Sequence, residues 1–210
     1  MGKLRTRSGF RRAHLFLVLL ASLFTGCDGP RLTALPPDAT VLAFGDSLTF
    51  GTGAPSGSSY PEVLATLSGL RVINGGVPGE LSAAGRERLP ELLEAHRPAL
   101  VLLIHGGNDT LRRLDGAKTE ENLRAMIATS RASGAQVLML GVPGRNLRLS
   151  APAYYREVAE STEVPIDVAI LPELMRDRAT KSDPVHFNAQ GYRRMAEAVF
   201  ELMRSSGALP

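Results

Sequence analysis

Four polar side chains in this 210-residue chain have the types and surroundings that nucleophilic chemistry needs. Ser47 stands in VLAFGDSLTFGTG, Val41 to Gly53, three residues beyond the last apolar residue of a short hydrophobic run. A hydroxyl exposed by a glycine turn there can attack a carbonyl, because the same turn offers a backbone N–H to the oxyanion that forms. Asp46 and Ser47 are equally at home as turn caps. Asn108 follows a second apolar run in LVLLIHGGNDT, where its amide can donate to developing negative charge and Gly106 and Gly107 allow close backbone approach. The plain alternative is a turn Asn bonded to its own backbone. Asp183 and His186 lie three residues apart in KSDPVHFNAQGY, a spacing that lets the carboxylate meet Nδ1 while Nε2 faces a serine. Asn188 is a good N-cap, which keeps His186 on the loop before a final helix.

These residues need a frame that brings four distant segments together. Short apolar runs of β type occur at 40–44, 70–73, 99–104, 136–140 and 165–168. Between and after them, helical spacing predicts helices over 60–67, 82–95, 119–133, 153–163 and 189–204. Strands apolar on both faces belong in a parallel sheet covered on both sides, so the expectation is a three-layer α/β/α sandwich with about five parallel strands. Sites in such sheets lie beyond the carboxyl ends of the strands, where Ser47 and Asn108 both fall.

The order Gly45-Asp46-Ser47, a lone glycine, Gly106-Gly107-Asn108-Asp109 and Asp183-x-x-His186 resembles the GDSL or SGNH hydrolases, named for the Ser, Gly, Asn and His of their four blocks. The resemblance covers roughly Val41 to Met203 and implies a flavodoxin-like fold and a serine esterase working through an acyl-serine, with no metal or organic cofactor. It implies Ser47 as nucleophile, Asp183 as the group that orients the base and His186 as that base. The oxyanion hole would be Ser47 N–H, Asn108 and a glycine of VINGGVPGELSAAG, where Gly79 fits best and Gly76 is the rival. Family members often carry Asp-Gly-x-His-Pro, whereas this chain has Asp183-Pro184-Val185-His186-Phe187, and Pro184 restricts Asp183 to extended geometry. The segment 141–158 resembles the acyl-groove loop of the arylesterase, thioesterase and lysophospholipase branch, which makes Leu147, Leu149 and Tyr154 candidates for the substrate wall. An amphipathic helix start would look the same. A carbohydrate O-acetylesterase and a non-catalytic binding domain are the competing readings. Asp167 and Asp177 are rival carboxylates without the short spacing. His105 has no second metal ligand at usable spacing and is expected either at the rim or one layer behind the site, and His96 marks a helix end.

Lys3, Arg5, Arg7, Arg11 and Arg12 precede the apolar stretch 15–24, and Thr25-Gly26-Cys27 follows, the layout of a secretory signal over residues 1–26. LFTGC resembles a lipobox, with Cys27, the only cysteine, as the lipidated residue and a membrane of the cell envelope as partner. An exported protein with a stray thiol and an uncleaved anchor are the alternatives. Residues 27–39 are expected as a tether and 40–210 as the hydrolase domain, a monomer. Five of the 24 lysines and arginines lie in the leader, leaving 19 basic against 21 acidic residues beyond it. No basic excess remains for a nucleic-acid partner. GDSLTFGTG carries neither a P-loop lysine nor a dinucleotide fingerprint, so the expected ligand is a small-molecule acyl ester.

Overall fold

A computed structural model describes residues 1–2, 29–144 and 149–210; residues 3–26 of the expected signal segment, Cys27 and Leu147 lie outside the described residues. Five strands form one parallel sheet: β1 (Thr40–Gly45), β2 (Arg71–Gly76), β3 (Leu100–Ile104), β4 (Gln136–Leu140) and β5 (Ile166–Asp167), in the order β2-β1-β3-β4-β5. The central strands are apolar on both faces, and Val41 to Phe44, Leu100 to Ile104 and Val137 to Leu140 are buried. Burying both faces requires helices above and below, and eight α-helices among the described residues supply them. They are α1 (Ser47–Phe50), α2 (Tyr60–Ser68), α3 (Ser82–His96), α4 (Gly107–Leu111), α5 (Gly116–Ala132), α6 (Tyr154–Thr162), α7 (Ile170–Arg176) and α8 (Ala189–Ser205). α2 packs on α8, while α3 packs on α5 and α5 on α6.

The chain leaves β1 to one side for β2 and returns to the other side for β3. The reversal opens a crevice at the carboxyl ends of β1 and β3, the switch point where α/β sheets bind ligands. Register pairs Gly45 with Ile104, so the turns carrying Ser47 and Asn108 start side by side. A Cβ on Gly45 would sit 2.1 Å from the Ile104 carbonyl oxygen and 2.4 Å from Thr49 Oγ1, so only glycine permits this approach.

The structure departs from the expected elements at their edges. β2 runs on through Asn74-Gly75-Gly76, residues without β propensity that are carried by pairing to Ala43, Phe44 and Gly45. β5, an edge strand paired to β4 alone, is only two residues long. α1, α4 and α7 were not expected: helices of four, five and seven residues present too few turns for a helical period to show. α5 begins at Gly116 rather than Thr119 because Asp115 caps it, accepting from Ala117 N. Within the expected tether, Leu32 N and Leu35 N donate to Ser206 O and Ala208 O, and both side chains pack against the core. Among the described residues no helix is long and apolar enough to cross a membrane.

Candidate active site

Ser47 opens α1 directly after β1. Asp46, the N-cap, accepts from Leu48 N at 3.1 Å and fixes the turn. Ser47 Oγ lies 3.0 Å from His186 Nε2, and His186 Nδ1 lies 2.7 Å from Asp183 Oδ2. The loop that carries this pair is closed on itself by an antiparallel bridge between Lys181 and Phe187. Asp183 Oδ1 accepts from Val185 N and His186 N, both at 2.8 Å, so one oxygen folds the loop while the other takes the imidazole. Pro184 is compatible with this path because both N–H donors come after it. Partial burial works to raise the Asp183 carboxyl, but the Val185 N–H, the His186 ring and the His186 N–H outweigh it and hold Asp183 below the usual range. Beneath the loop, Phe187 is buried edge-on to Tyr192, and Asn188 caps α8 by accepting from Gly191 N.

Asn108 lies in the first turn of α4, two residues after Gly106, which adopts a left-handed φ of 99° at the end of β3. Its Nδ2 donates to Asp46 Oδ2 and to the Glu80 carbonyl, each at 3.0 Å. Both amide hydrogens are engaged, so donation to an oxyanion would be shared with one of these partners. Burial pushes the Asp46 carboxyl above its usual value. Gly79 borders the same cavity with φ 77° and open space where a Cβ would stand. Gly76 is turned away: a Cβ there would lie 2.1 Å from Phe50 N, against α1. The structure thus separates the two glycines that the sequence left as rivals.

Ser47, His186, Asn108 and Gly79 open on a cavity of about 640 Å³ walled by Leu48, Leu111, Val142, Leu149 and Met175. Leu149 is thus among the residues that line this cavity. Tyr154 is not: it starts α6, its ring lies 4.7 Å from Tyr155, and its hydroxyl meets Thr110 Oγ1 at 3.4 Å, away from the cavity lining. The stretch read as acyl wall becomes helix there, and its first turn faces α4 and α5. Asp167 and Asp177 do not reach His186; Asp167 accepts from Ala169 N and Ile170 N at the start of α7, and Asp177 accepts from Ala179 N and pairs with Arg194. His96 ends α3 as expected.

Of the two placements expected for His105, the structure shows the one behind the site: the ring is fully buried. Gly106 N donates to its Nδ1, and its Nε2 lies 3.1 Å from Glu80 Oε2. Glu80 also accepts from Arg88 Nε at 2.8 Å and Nη2 at 2.7 Å. Burial alone would raise the Glu80 carboxyl; the bonds from Arg88 and His105 overcome that and bring it down to about 2. Asp109, also buried, accepts from Ser82 N and Ser82 Oγ and ties the start of α3 to α4. Glu80, Arg88, Ser82 and Asp109 were not singled out from sequence, since their partners are 25 to 28 residues away for His105, Asn108 and Asp109. Among the described residues no cluster of three or more His, Cys, Asp or Glu could hold a metal.

Residues 43–194 match the family described as GDSL-like Lipase/Acylhydrolase. Esterase TesA of Pseudomonas aeruginosa is 37% identical over 128 residues, 58% of this chain and 64% of that protein, so the match spans just under two thirds of the relative. The thioesterase 1/protease 1/lysophospholipase L1 of Escherichia coli K12 is 31% identical over 187 residues, 83% of this chain and 82% of the relative. A crystal structure of TesA has a TM-score of 0.73 and 29% identity, covering 80% of this chain and 99% of that one.

Proposed function

The chain belongs to the GDSL-like lipase/acylhydrolase family and is a hydrolase of it, and we propose that it cleaves esters of apolar carboxylic acids through an acyl-enzyme on Ser47. The observation that carries this reading is the unbroken relay from Ser47 Oγ to His186 Nε2 and from Nδ1 to Asp183, with distances of 3.0 and 2.7 Å. His186 Nε2 takes the Ser47 proton as Oγ bonds to the ester carbonyl carbon. The resulting oxyanion is held by the N–H groups of Ser47 and Gly79 and by Asn108. The carbon–alkoxide bond then breaks and Nε2–H protonates the leaving alcohol. Water, deprotonated by the same nitrogen, attacks the acyl-serine and releases the acid and free Ser47. Asp183 keeps the imidazole proton on Nδ1, so that Nε2 is free to accept.

The apolar wall of the cavity supports an acyl chain longer than acetyl. The names of the relatives, an esterase and a thioesterase 1/protease 1/lysophospholipase L1, support acyl-ester hydrolysis as the class of reaction. Residues 1–26 would direct export and Cys27 would carry lipid, holding a monomeric enzyme at a membrane of the cell envelope. Mass spectrometry of the mature N-terminus, with Cys27→Ala as control, tests this. The activity is tested with p-nitrophenyl esters from acetate to palmitate, using purified protein and Ser47→Ala. Activity should persist beyond short chains and fall by at least about 10⁴-fold in the variant. Activity confined to acetate would move the reading to a carbohydrate O-acetylesterase, and a folded protein with no Ser47-dependent activity would be a binding domain.

A further inference from the structure

We infer that Glu80 and His105 are positioning residues for the esterase reaction, because one buried carboxylate, gripped by Arg88 and His105, sets the placement of two oxyanion donors at once. The inference rests on the esterase reading above.

Glu80 follows Gly79 in the turn after β2. Wherever the Glu80 side chain is pinned, the Gly79–Glu80 segment is pinned with it. The Glu80 carbonyl, in turn, receives Asn108 Nδ2 at 3.0 Å. One residue therefore sits covalently beside one donor and is hydrogen-bonded to the other. Its carboxylate takes three N–H groups: two from Arg88 on α3, and one from His105, which lies three residues before Asn108 on the turn after β3. The two turns that form the hole, one from β2 and one from β3, are thereby clasped across a single ion.

The ring of His105 has only one way to do this. Gly106 N–H occupies Nδ1, which leaves the proton on Nε2, pointing at Glu80 Oε2. The Tyr155 hydroxyl donates to the His105 carbonyl at 2.7 Å and holds that backbone from the far side. α3 makes room for the ring: a Cβ on Gly85 would lie 2.3 Å from His105 Nε2. Arg88 is fixed by a third bond, from Nη2 to the Gly75 carbonyl at 2.9 Å, and lies 4.4 Å above the Phe44 ring.

None of Glu80, Arg88 and His105 lines the cavity or touches Ser47 or His186, so none takes part in the proton relay. Filling space does not call for them either. The His105 side chain is fully buried and that of Glu80 is 6% exposed, and an apolar cluster of equal volume would avoid desolvating charge. What the ion cluster supplies and an apolar one does not is direction. Hydrogen bonds orient the two turns to within a fraction of an ångström, and hydrolysis rates depend on that placement.

The test is kinetic, on the full-length protein with a p-nitrophenyl ester. His105→Leu removes the N–H and keeps bulk, whereas His105→Gln keeps an N–H near the place of Nε2. We expect His105→Leu to lower kcat about 10- to 100-fold with KM within about twofold, and His105→Gln to recover most of the loss. In an Asn108→Ala background the same His105→Leu change should cost several-fold less, because one donor it places is already gone. Glu80→Gln, which retains shape but loses the charge, should lower kcat in the same way and serves in full if His105→Leu does not fold. A folded His105→Leu or Glu80→Gln with kcat within twofold of wild type would overturn the inference. So would losses that multiply fully with Asn108→Ala, or a His105→Gln as impaired as His105→Leu. A wild-type protein inactive on every ester overturns the esterase reading itself, and is seen before any variant is compared.

Discussion

Replacing Asn108 with alanine separates the role proposed for its amide in the reaction from the bond that amide makes in the structure. The first is donation to the oxyanion. Losing one such donor costs about 10²–10³ in kcat, or about 3–4 kcal/mol of transition-state stabilisation. The second is structural: Nδ2 is one of the partners of Asp46, whose carboxylate is only 2% exposed and would keep the Leu48 N–H alone. Leaving a buried carboxylate oxygen without its partner costs about 1–3 kcal/mol of folding stability. For a domain of this size that is a drop in Tm of about 2–12 °C. Steady-state kinetics on a p-nitrophenyl ester and thermal unfolding of the same preparation read the two effects independently. Asn108→Asp sharpens the comparison, since it keeps the shape but places a second carboxylate 3.0 Å from Asp46 and should lose more stability than the alanine variant. If Asn108→Ala were folded and retained kcat within about threefold of wild type, Asn108 would not be an oxyanion donor and the hole would have to be built from backbone alone.

Other perturbations test the remaining parts. Asp183→Asn preserves an oxygen for Val185 N and His186 N but turns an N–H₂ toward Nδ1, imposing the wrong tautomer, so kcat should fall by about 10²–10⁴ while Tm moves little; unchanged kcat would remove Asp183 from the relay. Glu80, held at about 2 in the fold against 4.5 when free, contributes stability that is fully present above pH 4.5 and is lost as pH falls toward 2. The contribution is at most about 3 kcal/mol, and urea midpoints across that window should be markedly flatter for Glu80→Gln than for wild type. Gly45→Ala places a methyl 2.1 Å from the Ile104 carbonyl and should leave little soluble folded protein, measured by circular dichroism; a variant with wild-type Tm would contradict the close approach of β1 and β3.

Hydrophobic patterning alone determined most of the frame. Runs such as Val41 to Phe44 and Leu100 to Ile104 are apolar without alternation, and a chain can bury such strands only in a parallel sheet covered on both faces. The pairing of Asp183 with His186 was legible for a related reason, since a three-residue spacing limits where the two side chains can go. Ser47 and Asn108 could be placed at strand ends, and so on the same edge of the sheet. That they lie on adjacent strands depends on strand order, which no local pattern states. Only the tertiary structure sets Gly76, which packs against α1, apart from Gly79, which borders the cavity. It also drew Tyr154 off the expected wall into α6, and it buried His105 against Glu80 and Arg88. Periodicity and spacing are properties of a few neighbouring residues, so the sequence carries them openly. A buried ion cluster is a property of segments 8 to 25 residues apart, and its partners are settled only when helix and sheet close on each other and leave no water to take their place.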